Sequence, residues 1–482
     1  MENEKRLSAD LLKACGTADR EKAEKDYREA LKRFRPRIVV LDDDPTGVQT
    51  VHDVSVYTDW SGETFAEGFS EKNRMFFILT NSRSMSAETT EAVHREIAGH
   101  IADRILRTGE DVQLISRSDS TLRGHYPLET ETLRKTIEAA SSVRFDGEIL
   151  YPFFPEGGRF TLDNIHYVRE GSELVPAGQT EFARDKTFGY RSSDLRSWVE
   201  EKSGGKTPAR DCICIPLEDL RSLNYGRITE TLMKASGFAK IIVNSVSYDD
   251  VKAFAVAYIE AVCRGKRFMF RSAAAVPKIL GGVEDIPLLT RDRLVSGENR
   301  NGGIIVVGSH VRKTTGQLEA LKQSRLPVSF LEFNVDCVSA PGGAEKEKER
   351  VSALAEPLLR SGKTVAVYTS RGLLQVPDPE KQLALSVGIS DALTGIIRDL
   401  QVRPSFIVAK GGITSSDIGT KGLKVHRATV MGQIRPGIPV WMTDEGSRFP
   451  GLPYIIFPGN VGDESTLKEI AEELIGQEPE RG

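Results

Sequence analysis

The sequence predicts an α/β protein of two domains, each with a mostly parallel sheet flanked by helices. Three observations carry that prediction. Short apolar runs recur in RIVVLDDD, MFFILTNSRS, VQLISRSDSTLRG, GEILYPFF, AKIIVNSVS, GGIIVVGSH, KTVAVYTSR, PSFIVAKGGIT and PYIIFPGNVGD. They are continuous, without polar alternation, as strands buried on both faces are. Amphipathic stretches such as AETTEAVHREIAGHIADRILRTG and STLKEIAEELIG separate them, and strands alternating with helices imply βαβ units. Polar and glycine-rich residues follow each run at its carboxyl end, where open α/β sheets bind ligands.

In chain order, residues 1–36 are rich in Ala, Lys and Glu, with Leu11, Leu12, Ala14, Tyr27 and Leu31 at irregular helical spacing, and predict a helical extension. A first sheet domain follows over 37–280. Within it, residues 151–194 hold three Pro and five Gly with little periodicity and read as a long binding loop or lid. DCICIPL predicts a short strand with Cys212 and Cys214 on one face. Residues 281–302 combine Pro, Gly and mixed charges without a strand run, which predicts a linker and a candidate hinge. A second domain occupies 303–476, and the active site is expected in the cleft between the two.

Composition excludes several classes. Among 482 residues, 65 Lys and Arg against 69 Asp and Glu leave a net charge of −4, unlike the basic excess of nucleic-acid binders. At 39% hydrophobic and 28% charged, the chain is not predominantly disordered. Its five cysteines (Cys15, Cys212, Cys214, Cys263 and Cys337) are too few and scattered for a disulfide framework or a zinc site. Neither a secretory leader nor an apolar run near the ~18 residues of a membrane span is present. A cytoplasmic, reduced protein is expected.

The loops after the strands carry the chemistry. Asp42, Asp43 and Asp44 end the run RIVVL; one or two of them can accept a proton or hold Mg²⁺ through water. Successive strand residues face opposite ways, so all three are not expected to converge on one ligand. Asn81-Ser82-Arg83-Ser84 offers a guanidinium fork for an anion and hydroxyls suited to capping the next helix. Ser116–His125 packs Arg117, Asp119, Ser120, Thr121 and Arg123 into ten residues, a density that suggests a pocket for a small, anionic, polyhydroxylated molecule. In the second half, Lys410-Gly411-Gly412-Ile413-Thr414, Gly459-Asn460-Val461-Gly462-Asp463 and Gly308-Ser309-His310 each follow a strand. Three such loops in one domain predict a nucleotide site whose backbone N–H groups hold phosphates. Ser361-Gly362-Lys363-Thr364 is a decoy, since it precedes its strand and Pro357 stands where a P-loop begins with Gly.

In this order, DDDPTG, NSRS, SDSTLRG, KGGITSSD and PGNVGDES resemble the four-carbon acid sugar kinase family over residues 37–475. The resemblance implies a sugar-acid-binding N-terminal domain, an ATP-binding C-terminal domain, and activity on threonate, erythronate or 3-oxo-tetronate. It places ATP against Ser309, Gly411, Gly412, Ile413, Thr414, Gly459 and Gly462, and the sugar acid against Asp42, Asp43, Arg83, Asp119, Ser120 and Arg123. The chain departs from the family where Ile413 stands in place of a common acidic residue, and in the long aromatic segment YPFFPEGGRFTLDN.

Together these readings predict an ATP-dependent kinase acting on a hydroxyl of a short sugar acid, with Mg²⁺ inferred from the chemistry of ATP rather than from a ligand cage. Arg83 and Arg123 would hold the carboxylate and Ser120 orient hydroxyls. Asp43 and Asp119 are the two candidates for accepting the hydroxyl proton, Asp43 being preferred; Lys410 or Lys421 would stabilise the transferring group. A non-catalytic sensor of sugar acid and nucleotide, or a kinase for another acidic sugar, is the alternative. No nucleic-acid or membrane partner is expected, and a homodimer is compatible with the sequence.

Overall fold

A computed structural model describes residues 4–14, 19–309, 311–370, 379–459 and 461–476. Cys15, His310 and Asn460 lie outside them. Two compact units result: one of Met1–Gly47 and Asp59–Glu284, the other of Val48–Thr58 and Asp285–Gly482.

Among its described residues the first unit is built on seven parallel strands in the order Ile213–Ile215, Ala239–Val243, Gly147–Tyr151, Phe268–Ser272, Val112–Arg117, Arg37–Asp42 and Met75–Leu79. Their centres, such as Val39, Val40, Phe77, Ile115 and Ile149, are fully buried, which explains runs without polar alternation. The chain goes from Arg37–Asp42 to one neighbour, Met75–Leu79, and then to the other, Val112–Arg117. The strand order therefore reverses there, and at such a reversal a crevice opens beyond the carboxyl ends.

The N-terminal helix is part of this unit. Asp19 caps Arg20–Arg33, whose Ala23, Tyr27 and Ala30 are buried. The Tyr27 hydroxyl donates to the Ile279 carbonyl at 2.7 Å. Residues 151–194, read as a loop, instead hold an antiparallel sheet of Arg159–Leu162, Ile165–Glu170, Glu173–Pro176 and Leu7–Ser8. Its first hairpin turns at Asp163 and Asn164, with φ of 48° and 66°, a left-handed pair that Asp and Asn tolerate. Cys212 and Cys214 both pack against the cluster around Trp198.

Among its described residues the second unit has eight strands. Val54–Tyr57, Arg427–Arg435, Ile438–Thr443 and Pro453–Phe457 pair antiparallel, and the sheet continues in parallel through Ile407–Lys410, Ile304–Val307, Thr364–Thr369 and Val328–Phe333. Residues 281–302, expected as a linker, are largely packed into this unit. Leu289, Leu294 and Val295 are buried in its core, and Leu289 N–H donates to Gln433. Their apolar spacing outweighs the Pro and Gly that suggested a free segment.

Candidate active site

In the first unit the polar loops meet at the strand-order reversal. Strand alternation argues against convergence of Asp42, Asp43 and Asp44, yet they share two guanidiniums, because the strand ends at Asp42 and the chain turns. Arg83 grips Asp43 with Nη2 to Oδ1 at 2.5 Å and Nε to Oδ2 at 3.1 Å, and reaches Asp44 Oδ2 with Nη1 at 3.2 Å. Arg117 Nη1 lies 3.3 Å from Asp42 and 3.7 Å from Asp43. Main-chain bonds from Asp43 N–H to Arg117 and from Thr80 N–H to Asp42 tie the strand ends together.

These surroundings separate the carboxyls. Burial, opposed by Arg117 and reinforced by Asp43 and Asp44, pushes Asp42 up to about 8. Burial also raises Asp43 against the pull of Arg83, with Glu129 adding to the rise. For Asp119 burial acts the same way, but Arg83, Arg123 and Thr121 outweigh it and hold the carboxyl far below the usual range. Asp43 thus has the greater proton affinity, and Asp119 is a fixed anion.

Arg83 and Arg123, read from the sequence as the carboxylate holders, are both engaged by the protein's own carboxylates. Arg123 Nε donates to Asp119 Oδ2 at 2.7 Å, and its Nη1 lies 3.6 Å from Asp185. Ser120 is buried, and its carbonyl faces His166 Nε2 at 2.8 Å. Burial lowers His166 to about 4, so the ring is neutral and braces the loop, as its isolation from other metal-ligand residues suggests. Ser82 donates to buried Glu129 at 2.6 Å, and the following helix is capped by Ser86 instead.

Sequence reasoning passed over Arg159. Its guanidinium lies over the Phe182 ring at 5.5 Å, across from Arg123 at 5.2 Å. Among the described residues it forms no ion pair, and its buried Nε has no partner. Burial lowers its proton affinity, and Asp119 only partly offsets this. The Nε of Arg271 and the hydroxyls of Ser118 and Ser272 are buried without partners too. The signal in the sequence was the Gly-Gly-Arg of the aromatic segment, obscured by reading that segment as a loop.

In the second unit the three glycine-rich loops do come together. A Cβ on Gly411 would lie 3.1 Å from Ser309 Cβ and 3.2 Å from Thr414 Oγ1, and one on Gly459 would lie 3.2 Å from Ser309 Oγ. Thr314 ties the first and third loops, donating to Ser309 Oγ at 3.3 Å and the Gly459 carbonyl at 3.1 Å. Gly308, Ser309 and Gly411–Thr414 line a cavity of about 290 Å³ with Ile389, Ser390 and Leu393. Gly462, at φ 79°, turns the chain toward the helix Thr466–Ile475. Neither lysine suits the role read for it. Lys410 is fully buried with Nζ donating to the Pro458 carbonyl at 2.7 Å, and burial beside Lys313 pulls it down to about 6. Lys421 pairs with Asp417 at 2.9 Å.

Among the described residues, no three His, Cys, Asp or Glu side chains are grouped to hold a metal ion, and no helix is long and apolar enough to cross a membrane.

Two solved structures share the fold. One, described as a putative tRNA synthase from Salmonella typhimurium LT2, is 15% identical at a TM-score of 0.64, covering 89% of this chain and 98% of that one. The other, the Haemophilus influenzae protein HI1011, is 17% identical at 0.58, covering 91% and 100%. None of the curated proteins matches the chain. A sugar-binding N-terminal domain family model matches residues 38–280, and a nucleotide-binding C-terminal domain model matches 304–467. The first spans the arginine–carboxylate cluster and the second the three glycine loops, so the chain belongs to the family with the four-carbon acid sugar kinase architecture.

Proposed function

We propose that the protein is an ATP-dependent kinase that phosphorylates a hydroxyl of a short sugar acid of the threonate, erythronate or 3-oxo-tetronate type. The observation that carries this reading is the division of labour at the strand-order reversal. Asp43 has raised proton affinity, while Arg159 has a buried Nε without a partner and is only partly offset by the charge of Asp119. A sugar acid supplies both missing parts, a hydroxyl for Asp43 and a carboxylate for Arg159.

Phosphoryl transfer needs positioning and charge neutralisation more than covalent chemistry. Asp43 takes the hydroxyl proton at a carboxylate oxygen as that hydroxyl oxygen bonds to the γ-phosphorus and the β,γ-bridging oxygen leaves with ADP. Arg83 holds that carboxylate by two bonds and so fixes its direction. Asp119 stays ionised and keeps Arg123 in place. Backbone N–H groups at Gly412–Thr414, the first turn of the helix Gly412–Asp417, and at Gly459 and Gly462 receive the phosphates, since the N–H groups of Gly308 and Gly411 already donate to the Lys410 and Phe457 carbonyls. Mg²⁺ would arrive with those phosphates and neutralise their charge.

The test is ADP release from Mg-ATP against a panel of four- to six-carbon sugar acids, with the product identified by mass. Release with one acid names the substrate class. Nucleotide binding without release for any acid favours a sensor, and failure to bind nucleotide removes the kinase reading. A second result is expected with that substrate. Arg159→Met should raise KM by about 10- to 100-fold with little change in kcat, the loss of one charge-assisted hydrogen bond made equally in ground and transition states. Unchanged KM would place the carboxylate elsewhere.

A further inference from the structure

The C-terminal unit leaves large apolar side chains in solvent around one cavity. Ile413 is 68% exposed and Val311 48% exposed. Ile413 lines the 290 Å³ cavity together with Ile389 and Leu393, which lie one turn apart on the helix Pro379–Asp399. Val311 Cγ2 lies 3.9 Å from where a Gly459 Cβ would stand, beside the same loops. A free surface gains nothing from such side chains, and exposed apolar groups at a cavity mark places where something binds.

The cavity has two kinds of wall. Gly308, Ser309, Gly411, Gly412 and Thr414 supply backbone and hydroxyl groups; Ile389, Leu393 and Ile413 supply hydrocarbon. None of the described lining residues is charged. The hydroxyl described on the hydrocarbon side, Ser390, donates to Asp417 Oδ2 at 2.6 Å. A polar cradle continuous with an apolar slot fits a molecule with a phosphate chain at one end and a flat ring at the other.

We propose that Ile413, Ile389 and Leu393 are the seat of the nucleobase, and that this seat grips the base by its faces without reading its edge. Purine nucleotides are then accepted with little regard to the exocyclic groups that distinguish adenine from guanine. Apolar walls discriminate such groups weakly, whereas a site built to hydrogen-bond them rejects the wrong one by about 10⁴-fold or more. The inference rests on the nucleotide-binding reading of the C-terminal domain.

The experiment is equilibrium binding of ATP, GTP and inorganic tripolyphosphate to the full chain and to its Ile413→Ser and Ile389→Ser variants. Ile413 is exposed, so an unchanged melting temperature is expected and serves as the folding control. The seat predicts Kd values for ATP and GTP within about tenfold of each other. Each variant should weaken both nucleotides about tenfold, the range for lost apolar contact, and leave tripolyphosphate unchanged. A preference for ATP of about 10³ or more would overturn the proposal, since only edge recognition gives it. Nucleotide affinity insensitive to both variants, with tripolyphosphate still bound, would overturn the seat alone. If neither nucleotide nor tripolyphosphate binds, the nucleotide reading itself fails, and the seat with it.

Discussion

Asp43→Asn is expected to lower kcat by about 10²- to 10⁴-fold, the usual contribution of a positioned general base. The substitution keeps the shape of the side chain and one of the two oxygens that accept from Arg83, so the fold and the affinity for the sugar acid should survive. What is lost is the capacity to take a proton. Asp43 is the right group to lose because its surroundings raise its proton affinity, whereas Arg83, Arg123 and Thr121 hold Asp119 far below the ordinary range. The pH profile gives an independent check. A base works only when deprotonated, so activity falls as pH drops through its pKa. Since burial raises that pKa, the acid limb of kcat/KM should lie above the ordinary carboxylate range near 4. Asp119→Asn should leave this limb in place; it should disturb Arg123 and appear in KM. A wild-type-like rate in Asp43→Asn, or an acid limb that moves with Asp119, would transfer the role to Asp119.

The parallel strands were legible because burial on both faces leaves a direct trace, a continuous apolar run at Arg37–Asp42, Met75–Leu79, Ile304–Val307 and Ile407–Lys410. The antiparallel ones were not, although their signals were local. Arg427–Arg435 alternates buried and half-buried residues along its length, and Pro436-Gly437 turns it into Ile438–Thr443. Asp163-Asn164 is a two-residue hairpin turn inside the segment read as a loop. Val54–Tyr57 looks like a strand of the first domain, but its pairing with Arg427–Ala428 and their neighbours is more than 350 residues away in sequence, and only tertiary packing assigns it to the second unit. The site followed the same division. Which loops carry chemistry could be read from their position after strands. Which arginine lacks an ion pair could not, because Arg83 is neutralised by Asp43 across 40 residues of chain, and Arg159 is noticed only once its buried, unpartnered Nε is seen.

Gly308→Ala is the substitution expected to damage nucleotide binding most. Gly308 lies where the strand Ile304–Val307 enters the first glycine loop, and its backbone needs no left-handed turn, so alanine is compatible with its φ. The obstacle is space alone. A Cβ there would stand 2.2 Å from Thr414 Oγ1, 3.3 Å from Thr414 Cβ and 3.2 Å from Leu393 Cδ1. Thr414 is buried, which leaves its hydroxyl little room to swing aside. The added methyl therefore forces the first and second loops apart at the point where both would face phosphate, at an overpacking cost of about 1–3 kcal/mol. ATP, GTP and tripolyphosphate should all weaken by about 10- to 100-fold, the same free energy read as affinity, which separates this effect from that of Ile413→Ser. The contrast that isolates the cause is the double variant. Thr414→Ala removes the oxygen that the new methyl meets, so Gly308→Ala/Thr414→Ala should bind more tightly than Gly308→Ala alone, a coupling expected only of residues in contact. If the second change brings no recovery, the loss comes from elsewhere in the loop. If Gly308→Ala binds nucleotide as the wild type does, the three loops do not form the phosphate site.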